Sequence, residues 1–96
     1  MNKDQREFQR LTIEILNLFI RKSKDYENNW KIGGPEGVEW QIFRKFIRLW
    51  QNRNNENINN ESFRDTLIDL AVYSIMRTIL LDRGIKTDQL KELLEK

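Results

Sequence analysis

The chain has 96 residues, enough for one domain with a single modest core, and its 17 basic and 15 acidic side chains leave a formal net charge of +2. It contains no cysteine and no histidine, which excludes a disulfide scaffold, a thiolate nucleophile, a Cys- or His-ligated zinc site and an imidazole base. Chemistry is left to carboxylates, Lys, Arg, Tyr and hydroxyls, in a chain whose three Trp, five Phe and two Tyr argue for a folded core.

The pattern predicts a first helix from about Lys3 to Tyr26. Phe8, Leu11, Ile15, Leu18 and Phe19 make its main apolar stripe, and Ile13, Leu16 and Ile20 make a second, so two neighbours are expected. Lys22 and Tyr26 continue the main stripe. Lys22 either lays its stem on the core with the ammonium in water or holds the ammonium over an anion. In the following ENNWKIGGPEG stretch, Gly33, Gly34, Pro35 and Gly37 rule out regular structure, which makes it a loop. Trp30 within it either plugs the core or stacks on a flat ligand. The glycines lack the Gly-Lys-Ser/Thr ending of a phosphate-binding P-loop.

Val38 to Gln51 reads as an amphipathic helix, with Val38, Ile42, Phe46 and Leu49 on an apolar face widened by Trp40, Phe43, Ile47 and Trp50. Arg44, Lys45, Arg48 and Gln51 form the other face, with Lys45 at its border. An Asn-rich linker, QNRNNENINN, leads to Asn60 as N-cap and to a long helix from Glu61, where Glu61 suits the helix dipole, ending at Gly84. At about 100° per residue, Asp65 and Asp69 fall on the stripe of Val72, Met76 and Ile79 and so face the packed side. A buried carboxylate must be paired, hydrogen-bonded or metal-bound, which makes these two acids the best pointer to function. Thr87 caps a short last helix through Lys96 with a Leu90, Leu93, Leu94 stripe. Four helical segments, no strand alternation and no repeat give one all-α, four-helix bundle-like domain over residues 1–96.

In order, the notable segments are Lys22-Ser23-Lys24-Asp25-Tyr26, then Lys45 to Arg48-Leu49, then Asp65-Thr66-Leu67-Ile68-Asp69-Leu70-Ala71-Val72-Tyr73. Together they resemble the phage and bacterial nucleotide modification associated domain proteins, related to the MazG and dimeric dUTPase type of all-α nucleoside triphosphate pyrophosphohydrolases. The resemblance runs from about Phe8 to Leu81. It implies a MazG-like helical fold and a magnesium-dependent hydrolysis of a nucleoside triphosphate or deoxynucleoside triphosphate. Asp65 and Asp69 would be catalytic and metal-holding, with Glu61 as a further metal ligand, while Lys22, Asp25, Tyr26, Trp30, Lys45 and Arg48 would bind the nucleotide. Hard magnesium takes oxygen ligands and lets substrate phosphates complete its shell, which agrees with that set.

The chain departs from the pattern in three places: its first helix carries no Glu-x-x-Glu cluster, Glu7 and Glu14 standing seven apart, Glu27 replaces the Gly after Asp-Tyr, and Arg44 replaces the Asp before Lys45. Fewer acids mean weaker metal binding, so a non-catalytic nucleotide-binding or sequestering phage protein is the first alternative. A helical module that grips protein or nucleic acid through Arg44, Lys45 and Arg48 is the second, although a net charge of only +2 is weak evidence for nucleic acid and no such partner is expected. The spare stripes of the first helix and the C-terminal leucines, with the subunit-built sites of the resembled relatives, predict a homo-oligomer. No stretch reaches the ~20 apolar residues of a membrane span and the start is too polar for a signal peptide, which predicts a cytoplasmic protein, in the host if phage-encoded.

Overall fold

The computed structural model describes residues 1–55 and 61–85, with the side chains of 25–32, 55, 61 and 62 outside the description. Its elements are three helices, α1 (Lys3–Arg21), α2 (Ser23–Asn52) and α3 (Glu61–Asp82), with a 3-10 turn at Arg53–Asn55. Among the described residues there is no strand, so the domain is all-α as expected. The fourth expected helix, from Thr87 to Lys96, and the Asn60 cap lie outside the described residues.

Reciprocal bonds fix the start of α1. Gln5 N–H donates to Asn2 Oδ1 and Asn2 N–H donates to Gln5 Oε1, each at 2.8 Å, while Asp4 in the first turn suits the dipole. The helix stops earlier than Tyr26. Lys22 leaves the helical region at φ −104° and ψ 13°, and α2 starts at the next residue. No residue of α1 is buried. Ile15, Leu18 and Phe19 of its main stripe lean on the core, whereas Phe8 and the whole second stripe stay exposed.

The expected glycine loop is helical on both sides of one break. Gly34 alone takes a non-helical conformation, φ 60° and ψ −156°, a region open in practice only to glycine. Pro35 follows it, where a missing N–H costs nothing because the first helical N–H groups lack partners anyway. Gly33 and Gly37 are tolerated as helical residues at roughly 1 kcal/mol each. The break turns the second half of α2 onto α3, burying Pro35 and Val38.

The core is the seam between α2 and α3: Val38 meets Val72, Tyr73, Met76 and Leu80 there, with Ile42 and Ile85 packed against its edge. Gly84, at φ 74°, closes α3. Its N–H donates to the Leu81 carbonyl at 2.9 Å and the Ile85 N–H reaches back to Leu80 at 3.0 Å, so two end carbonyls are satisfied and Ile85 is drawn onto the core. Among the described residues no helix is long and apolar enough to cross a membrane.

Candidate functional site between α2 and α3

Val38 and Ile42 point α2 at α3, and one further turn along the same side stands Lys45. Its Nζ lies 3.0 Å from Asp69 Oδ2, with only 17% and 25% of the two side chains exposed. Lys45 is thus turned inward, not spread on a solvated cationic face. Asp69 needs that partner, because a carboxylate so far removed from water is costly when bare.

Asp65 precedes Asp69 by one turn, yet its side chain is exposed. The expectation that both acids face the packed side therefore holds for Asp69 and fails for Asp65: the covered side of this turn of α3 is that of Thr66, and Asp65 stands about 100° round the helix from it. Thr66 beside it is the buried polar residue of this turn. Lys22 is exposed at the α1–α2 junction, and Arg48 is exposed on α2 with its carbonyl accepting from Asn52 Nδ2 at 2.8 Å. Asp25, Tyr26 and Trp30 sit in the first half of α2 and Glu61 opens α3, but these four side chains lie outside the described ones. Among the described residues no three carboxylates come together as a metal-holding group.

The outer face of α2 corrects another expectation. Phe46 is exposed together with Trp40, Phe43 and Trp50, since the inward side of the helix is Val38, Ile42, Lys45 and Leu49.

Two ion pairs escaped the sequence reading. Arg64 donates to both Glu14 oxygens, from Nη1 at 2.9 Å and from Nη2 at 2.6 Å, which holds the Glu14 carboxyl below its usual 4.5 and raises Arg64 further. Arg10 and Arg21 line the same open cleft between α1 and α3. Arg77 Nε donates to Glu39 Oε1 at 2.8 Å. Neither pair has a local spacing signal, because the partners are 50 and 38 residues apart. The better enclosed space, about 250 Å³ between α1 and α3, is lined by Ile15, Phe19, Val72, Ile75 and Met76 with Thr12 as its one polar residue, and it holds no charged group for a phosphate.

Residues 22–81 match the family model for nucleotide modification associated domain 1. The chain belongs to this family. The match begins at Lys22 and ends at Leu81, so it takes in the α2–α3 pair and leaves α1 outside, a narrower span than the resemblance from Phe8 suggested. Neither a curated protein nor a solved structure matches the chain. The Lys45–Asp69 pair and Asp65 all fall within the family segment.

Proposed function

We propose that the domain binds a phosphorylated nucleotide where the Asp65–Asp69 turn of α3 meets Lys45 of α2, as a MazG-like pyrophosphohydrolase relative. The observation that supports this most is the Lys45–Asp69 pair at 3.0 Å beside an exposed second carboxylate, within the segment shared with a nucleotide modification associated family. A cation and two carboxylates on facing helices are the groups that a phosphate and its counter-ion need. Lys22 and Arg48 add positive charge in this reading, and Asp25, Tyr26 and Trp30 contact the nucleotide.

Magnesium draws one or two carboxylates from a protein and takes the remaining oxygens from water and phosphate, a share that Asp65 and Asp69 match, with Glu61 on the same helix. When bound, the ion supplies neutralisation of phosphate charge and a more acidic water. Lys45 is the residue that exchanges a carboxylate for phosphate, and Asp69 is the carboxylate it releases.

A second reading, binding without turnover, is favoured by the same pair. Lys45 already neutralises Asp69, and Arg44 stands where the resembled pattern carries an acid. Calorimetric titration of nucleoside and deoxynucleoside triphosphates, with and without magnesium, separates the outcomes when joined to chromatography of the products. Saturable, magnesium-strengthened binding that Lys45→Ala abolishes supports the site. Release of pyrophosphate supports hydrolysis, and binding with intact triphosphate supports the second reading. No heat with any nucleotide, in either condition, refutes both.

A further inference from the structure

We propose that the outer face of α2 pairs antiparallel with α2 of a second copy of this chain. Trp40, Phe43, Ile47 and Trp50 recur at spacings of three, four and three residues, the repeat of a helix–helix seam. Trp40 and Trp50 are each 58% exposed, Phe43 and Phe46 54% each, and Trp40 stacks on Phe43 with ring centroids 5.8 Å apart. At about 200 Å² per aromatic side chain, these four rings alone leave roughly 400 Å² of apolar surface uncovered. Ile47 and the stems of Arg44 and Arg48 extend that patch toward the ~800 Å² that each partner contributes to a stable interface.

Charge selects the occupant and its direction. From Pro35 to Arg53 the acids, Glu36 and Glu39, stand at the start, and the cations Arg44, Arg48 and Arg53 stand in the later half, while Lys45 is taken by Asp69 inside the chain. Antiparallel apposition sets the acidic end of each helix against the cationic end of the other; parallel apposition sets cations against cations. In the register that lays Trp40 over Trp50 of the second copy, Phe43 covers Ile47 and Glu39 comes beside Arg53. Arg53 already lies 4.2 Å over the Trp50 ring, and Glu39, although bonded to Arg77, keeps 48% of its side chain exposed. The seam is on the opposite side of α2 from Lys45. Pairing and nucleotide binding are therefore separate questions, and a dimer that ignores nucleotides would remove only the functional reading above.

Sedimentation at tens of micromolar is expected to return twice the chain mass, and Ile47→Asp and Trp50→Glu are each expected to return the single mass with far-UV helicity retained. The chain has no cysteine, so Glu39→Cys and Arg53→Cys proteins test the register: mixed under oxidation they should cross-link to each other, and each alone should link little. A monomeric parent, a dimer that survives both seam variants, or self-linking of the single-cysteine proteins in preference to mixed linking would overturn the proposal. A monomeric parent whose binding to a single-stranded oligonucleotide is lost in Trp50→Glu would give this face to nucleic acid instead.

Discussion

Arg64 holds Glu14 with two parallel hydrogen bonds, fastening α1 to the start of α3 across 50 residues of sequence. Since α1 buries no residue of its own, this fork is a principal polar tether of that helix. Glu14→Gln should lower the melting temperature at neutral pH. The sign with pH follows from the depressed carboxyl: its stabilisation is present above the ordinary value of 4.5 and is lost as pH falls through the lower folded value. Melting parent and variant from pH 7 downward should show the difference shrinking below that value. A gap that persists in strong acid would show that the fork is not its source.

Asp69→Asn removes the charge that Lys45 faces at 3.0 Å and should cost about 1–3 kcal/mol, as loss of one partner of a mostly buried charged pair does. Asp65→Asn, at an exposed position one turn away, should stay within about 0.5 kcal/mol. Urea denaturation of both variants without nucleotide checks the contrast. Equal costs would contradict the different environments of the two acids.

Gly34→Ala places a Cβ at φ 60° and ψ −156°, and is expected to cost about 1–3 kcal/mol. Gly33→Ala, in the helical turn before it with no atom within 4 Å of the added carbon, should be neutral or slightly stabilising. Thermal melts of the two variants side by side suffice.

Met76→Ala empties a position that is 1% exposed at the centre of the α2–α3 seam and should cost about 2–5 kcal/mol. Leu81→Ala, on the outer side of α3 and 65% exposed, should cost far less. Denaturant midpoints at equal slope would measure both.

The helical class, the span of α3 and its glycine stop were legible because periodicity and capping are local signals. The break before Pro35 was legible only as punctuation: four loop-forming residues suggested a loop, whereas one glycine sufficed and the proline served as a helix start. Phe46 and Asp65 show a different limit. Each lies near an apolar stripe by angle, but a stripe becomes buried only where a neighbour covers it: Lys45 and Leu49 take the inward side beside Phe46, and Thr66 takes it beside Asp65. That Asp69 needs a partner is legible from its place on an apolar stripe, whereas its pairing with Lys45 is not, because the two stand on different helices. Glu14–Arg64 and Glu39–Arg77 carried no signal at all, since a single chain does not reveal which distant charges meet.

Because α1 lies on the core without sinking any residue into it, its backbone can open without first breaking the Val38–Val72–Met76 seam. Deuterium should therefore enter the amides of α1 well before those at the middle of α3. The family segment, which begins at Lys22, would then coincide with the slow-exchanging unit, and α1 would be an accessory lever hinged at Lys22 and latched by one arginine.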